Sequence, residues 1–183
     1  MTSTTTLERL SRPQQIRAIL TDERYDRPTR LLRLQGWRED DLTAAVTAGS
    51  AHRLAPGFCA MGATLVAALG SSPVALVLTL TAVIGTFASN HPVETVYNEL
   101  ARRFGRGEIP PNRAAKRLAC LLGTAFLGTS TLLILLGETD AGRIVAAAFA
   151  VVAWFVTVTN VCVPSLLSIM LFGVERSTQR RLL

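Results

Sequence analysis

The sequence predicts an all-α polytopic membrane protein: four transmembrane helices, a helical cytoplasmic N-terminal arm, and an amphipathic interfacial helix between spans 2 and 3. Three observations carry this prediction. The 183 residues have a mean hydropathy of +0.35 although the pI is near 10.2, an unusual pairing for a soluble domain. Charge is segregated: residues 1–53 hold 9 Lys+Arg and 7 Asp+Glu, whereas residues 54–90 hold none. Finally, 18 of the 19 basic residues fall in segments that alternate threading would place on one side, which the positive-inside rule makes the cytoplasm.

Residues 1–41 form the arm, and the Ser/Thr-rich stretch 1–6 reads as disordered. Ser11 and Pro13 open a short helix carrying Ile16, Ile19 and Leu20. Pro28 opens a second, in which Leu31, Leu32, Leu34 and Trp37 alternate with Arg30, Arg33 and Arg38. Such a pattern suits the interface between anionic headgroups and acyl chains. It suits a docking surface on a protein partner equally well. Nucleic acid is not an expected partner, because residues 1–53 leave a net charge of only +2.

Residues 42–174 form the transmembrane domain, with spans expected at about 52–69, 73–90, 117–137 and 144–163. The uncharged run Leu54–Asn90 is divided by Gly70-Ser71-Ser72-Pro73, a turn that makes it a tight hairpin, with a kink at Pro56. After it, Val93, Val96, Tyr97, Leu100, Ala101 and Phe104 share one helical face. Pro92 and Glu94 suit the first turn of that helix and Gly105 its end. Ile109-Pro110-Pro111 then turns the chain, and Asn112 caps the third span. The uncharged run Ile144–Val174 exceeds one crossing, so Pro164 should end the fourth span ahead of an interfacial segment. Residues 175–183 make a basic cytoplasmic tail. Because the first apolar run starts 53 residues in, no cleavable leader is expected. The expected location is a bacterial inner membrane, multi-pass, with both termini cytoplasmic.

Beyond His52, Arg53 and Arg117 at their starts, the expected spans carry no Asp, Glu, Lys, Arg or His. Coupled transport, which needs ionisable groups at depth, is therefore disfavoured. Asn160 reads as an interhelical hydrogen bond, and Thr124/Gly128, Ala125/Thr129 and Ala146/Ala150 as close-packing faces.

At a rise of about 1.5 Å per residue, Cys59 and Cys120 fall shallowly in the inner leaflet, and Cys162 near the same boundary. His52 and His91 flank the first hairpin there. Two readings stand. The thiols are small apolar fillers and the histidines helix-end residues. Alternatively, they form a thiol, sulfur-handling or metal site, although no close Cys pair supports a metal. Haem held by His52 and His91 is a further, weaker option. A structural disulfide does not suit a reducing compartment. The sequence names no cofactor, and hydrolase and phosphate-loop motifs are lacking.

Ala44-Ala45-Val46-Thr47, His91-Pro92 with Tyr97-Asn98, Ile109-Pro110-Pro111, Ala115-Lys116-Arg117-Leu118-Ala119 and Cys162 together resemble the bacterial membrane family catalogued as domain of unknown function 4395. The resemblance covers roughly residues 42–174 and leaves the arm outside it. It implies no established activity. It does imply a Cys-x-x-Cys near the close of the last span, where this chain has Cys162-Val163-Pro164-Ser165. Ser165 replaces the second thiol, so any dithiol chemistry of that pair is lost here or uses Cys162 with another thiol.

The first functional expectation is a non-catalytic accessory or assembly subunit of a larger inner-membrane complex. It would contact the lipid bilayer and other membrane-protein subunits through the arm and the small-residue faces. The alternative is a thiol protein that exchanges reducing equivalents or sulfur with a cytosolic thiol partner through Cys162, Cys59 and Cys120. The topology has a direct test. Asp140→Cys, in a background without native thiols, should react with an impermeant maleimide from outside; reaction only after permeabilisation reverses the orientation.

Overall fold

A computed structural model describes residues 10–179; the expected disorder of residues 1–6 and the end of the basic tail lie outside the described residues. Within them the chain is helical without strands. The arm holds α1 (Arg12–Leu20), α2 (Arg27–Leu34) and α3 (Glu39–Thr47), followed by a 3-10 turn, Gly49–Arg53. Then come α4 (Leu54–Leu69), α5 (Ser72–Phe87), α6 (Pro92–Arg103), α7 (Ala114–Leu135), α8 (Thr139–Thr159) and α9 (Val163–Ser177).

Pro and cap residues place the helix starts. Asp26 accepts the Thr29 N–H at 3.1 Å to begin α2, and Pro73, Pro92 and Pro164 lie in the first turns of α5, α6 and α9. Gly70 ends α4 at φ +64°, a left-handed conformation that favours glycine.

Helices α4, α5, α7 and α8 form an antiparallel bundle with a core of small residues. Ala63, Ala75, Ala82, Ala146 and Ala150 pack there with Val66, Leu78 and Leu127. Gly128 lies on the same seam, where an added Cβ would stand 3.8 Å from Thr79 Cγ2. Small side chains let backbones approach, which is how helices associate when lipid rather than water surrounds them. Hydroxyls add cross-links: Thr79 and Thr131 meet at 3.0 Å, and Ser130 donates to the Gly142 carbonyl at 2.8 Å. At the far end Arg143 donates to the Ala67 and Ala68 carbonyls at 2.8 and 3.1 Å, satisfying the last turn of α4.

The outer face is apolar: Leu69, Leu135, Ile144, Val151 and Val158 are each more than 60% exposed. Helices α7 and α8 are long and apolar enough to cross a membrane, yet only 22% of the most apolar stretch of each is buried in the chain. The rest must meet lipid or another protein.

Several expectations change. Helices α4 and α5 have 16 residues each, about 24 Å, short of the hydrocarbon thickness of about 30 Å. By length and composition two helices are thus able to cross a membrane, or three if α5 and α6, bent by 71° across their break, count as one. Helix α8 starts at Thr139, ahead of the expected 144, because Arg143 has carbonyls to bond and can join the helix. It ends at Asn160 in the left-handed conformation, φ +61°, before Pro164 is reached. The segment beyond is a true helix, α9, broken at Gly173. Asn112 does not cap α7; its side chain donates to the Gly85 carbonyl at 3.3 Å and its N–H to Ser89, tying α5 to the approach of α7.

The arm folds onto the bundle's charged end. Ile19 and Leu34 pack with Ile169 of α9, while Leu32, Trp37, Leu42 and Ala45 pack with Ile109. Leu34, Trp37 and Arg33, expected on an external interface, are therefore buried by the chain itself. Arg33 bonds Asp22 at 2.8 Å and stacks over the Tyr25 ring. Arg30 donates to the Leu20 carbonyl, Leu31 is half-buried beside Ile19 and Leu34, and Arg38 stays exposed. The physical reason is that α2, eight residues long, is stable only when its apolar side finds the nearest apolar surface, which is the bundle.

Gly36 marks the junction. At φ +89° its absent side chain would stand 2.8 Å from Ala115 Cβ and 2.9 Å from the Ser177 carbonyl. Gly36→Ala should cost about 1–3 kcal/mol through strain and displacement. It should show as a lower Tm in detergent and faster protease cleavage within the arm.

Candidate functional site

The most informative group at the charged end is Glu94, which has no exposed surface. Its helix, α6, has an apolar stripe of Val96, Leu100 and Phe104, but these are 63%, 49% and 74% exposed. Inward it presents Glu94, Asn98 and Ala101, spaced by helical turns. Asn98 clamps the Ile109 backbone, donating to its carbonyl at 2.9 Å and accepting its N–H at 2.7 Å. Tyr97, half-buried, donates to the Gly107 carbonyl at 3.3 Å. The Glu94 carboxylate accepts the His91 N–H at 3.2 Å and pairs with the Lys116 ammonium. That ammonium also lies 5.2 Å from the centre of the Trp37 ring, a cation–π contact with the arm. One buried carboxylate thereby joins α6, α7 and the arm.

Beneath it lies a cavity of about 130 Å³. Cys59 of α4, Cys120 of α7 and Cys162 at the N-cap of α9 all line it, as do His52, His91, Lys116, Gln35 and Ser165. All three thiols are free. Cys59 Sγ lies 4.0 Å from His91 Nε2. Cys120 Sγ and His91 Cδ2 both stand 3.0 Å from where a Gly85 side chain would be, so a glycine is what lets them share this corner. Cys120 and Cys59 thus both neighbour His91, and both line the cavity with Cys162.

Asn160 shapes the other side. Its side-chain oxygen meets His52 Nε2 at 3.0 Å, and its carbonyl accepts from Gln35 Nε2 at 2.9 Å. These bonds hold the reversal that delivers Cys162 to the start of α9. The Ser165 hydroxyl, which lines the cavity with Cys162, is buried and has no hydrogen-bond partner. His52 Nδ1 is likewise buried and unpartnered. The cavity thus offers a donor and an acceptor that the protein leaves unused, against a wall of Phe149, Val152, Ala153 and Val156. Among the described residues no three His, Cys, Asp or Glu side chains gather as a metal site.

Each thiol and histidine was legible singly, and Ser165 as the replacement of a second thiol, whereas Glu94, Lys116 and Gln35 were missed as their companions. A signal for Glu94 existed: Glu94 and Asn98 lie four residues apart, one polar pair on a helical face beside the apolar stripe.

Two expectations follow. Removing Glu94 strands a largely buried ammonium, so Glu94→Ala should destabilise by roughly 3–5 kcal/mol. A Lys116→Met/Glu94→Leu double substitution should recover much of that loss in thermal unfolding. Burial holds the His91 imidazole below its ordinary value of 6.5, with nearby Lys116 adding to this and Glu94 opposing it. Its share of stability is complete above pH 6.5 and is lost as the pH falls below that value, since the unfolded chain then takes up a proton that the folded site resists. His91→Gln should flatten the fall in Tm between about pH 7 and pH 5.

No curated protein and no solved structure matches the chain. A family model, Domain of unknown function (DUF4395), matches residues 49–171. The matched segment is somewhat shorter than the expected 42–174, leaving out α1–α3 and the end of α9 beyond the cavity. It contains every thiol and histidine of the site, so the chain belongs to the family of domain of unknown function 4395, and the candidate site lies within the family's own segment.

Proposed function

We propose that this is a four-span bacterial inner-membrane protein with both ends in the cytoplasm, which exchanges reducing equivalents with a cytosolic dithiol partner. One observation carries the reading: thiols from three separate helices converge on a single cavity with two imidazoles and an unpartnered hydroxyl. Core fillers have no need of such convergence. Short helices α4 and α5 span by local thinning and by snorkelling of Arg53 and Arg117.

Cys162 is the exchanging thiol and Cys120 its resolving partner. Cys162 stands at the N-terminus of α9, a position that favours a thiolate. In exchange, a partner thiolate attacks the Cys120–Cys162 disulfide and forms a mixed disulfide with Cys162, releasing Cys120 as a thiolate. The partner's second thiolate then displaces Cys162. The partner dithiol ends as a disulfide, and its two protons end on Cys120 and Cys162. Cys120 thus takes the place of the thiol that Ser165 lacks.

The test is redox trapping in intact cells by acid quench and maleimide labelling. Cys120 and Cys162 should shift together between reduced and oxidised forms, and Cys120→Ala should abolish the shift by leaving Cys162 without a thiol to pair with. Thiols that remain reduced under oxidant challenge and react no faster than inert buried thiols would sink the reading.

The accessory-subunit reading keeps one supporting observation, the large uncovered apolar faces of α7 and α8. It expects the chain to leave the membrane, in mild detergent, within a stoichiometric assembly of other proteins.

A further inference from the structure

The thiol cavity has features that thiol exchange alone does not use. Its volume of about 130 Å³ is close to that of an engineered cavity of about 150 Å³ that accepts benzene, so a six-membered ring fits. Its wall is carbon from α8, one of the two helices long and apolar enough to cross a membrane, and Val152 of that wall is 43% exposed. Its polar groups are complementary. The Ser165 hydroxyl and the Lys116 ammonium donate, while His52, whose Nε2–H is directed at the Asn160 oxygen, presents Nδ1 as an acceptor. A ligand that suits these groups is a flat apolar ring, soluble in lipid, with oxygen atoms that accept in one redox state and donate in the other.

Resting on the thiol-exchange reading, the geometry points to a membrane quinone as the electron acceptor for Cys120 and Cys162, bound between the α8 wall and Ser165. The Cys162 thiolate adds to the quinone ring, and Cys120 attacks the Cys162 sulfur, forming the S–S bond and expelling the reduced ring. Two electrons and the two thiol protons pass to the quinone, which leaves as hydroquinone. Ser165 or Lys116 donates to a quinone carbonyl, and a hydroquinone hydroxyl donates to His52 Nδ1. The cytosolic dithiol then restores Cys120 and Cys162 to thiols.

The experiment uses the full chain in detergent, reduced and freed of reductant, mixed anaerobically with a benzoquinone bearing a decyl tail. Quinone reduction is followed by absorbance, and the protein product by intact mass and peptide mapping. The expected result is one hydroquinone per chain and a Cys120–Cys162 disulfide. Ser165→Ala should weaken quinone binding, measured by Trp fluorescence quenching, roughly fivefold, as expected for one lost hydrogen bond. Ala153→Phe should fill the ring space and abolish quenching while iodoacetamide still reaches Cys162. Quinone left unreduced, or consumed only as stable covalent adducts on any thiol, overturns the inference. If Cys120 and Cys162 still cycle with a cytosolic dithiol in cells, the failure is confined to the quinone; if they do not cycle either, the thiol reading falls as well.

Discussion

A carboxylate with no access to solvent has to be compensated where it stands, and much of this molecule's charged end is arranged around meeting that demand for Glu94. The Lys116 ammonium and the His91 N–H supply the compensation. Each belongs to a different segment, so satisfying the charge fixes where α6 starts, where α7 begins its descent, and how far Trp37 must reach to cover the pair. Asn98 and Asn112 extend the same logic with amides that occupy backbone groups of the 109–112 turn and of α5. The polar lattice is buried by the arm on one side and by α6 on the other.

The bundle below is held differently. Its core is mostly alanine with a few larger side chains, and its cross-links are hydroxyls and one arginine. Small residues give close backbone contact, but they leave gaps wherever two helices diverge. The cavity lies where the lattice of Glu94 meets the alanine seam; Gly123 lines it, and Gly85 lets Cys120 and His91 close in at its corner. This location explains its mixed chemistry: carbon from α8, sulfur from three helix ends, and nitrogen and oxygen from the turns above.

Much of the architecture is legible in single residues and short runs. The uncharged blocks and their Gly/Pro boundaries mark the helices of the bundle, because apolar length and turn residues act locally. The family follows from short motifs around His91, Ile109 and Lys116, and the family match covers them. Other features were hidden. Trp37 and Leu34 look like external anchors, yet they are buried, since amphipathicity states that a face must be covered without saying by what. The stripe of α6 misleads for the same reason: its exposed face is apolar and its buried face carries Glu94 and Asn98.

The sequence by itself determined an all-helical chain with apolar helices, a charged end, and three thiols and two histidines placed near that end. Those properties depend on composition and on spacing along the chain. Only the tertiary structure decided that Cys59, Cys120 and Cys162 line one cavity and that Glu94 and Lys116 meet. These are contacts between residues tens of positions apart. They follow from helix packing and from a left-handed turn at Asn160, which no local periodicity encodes.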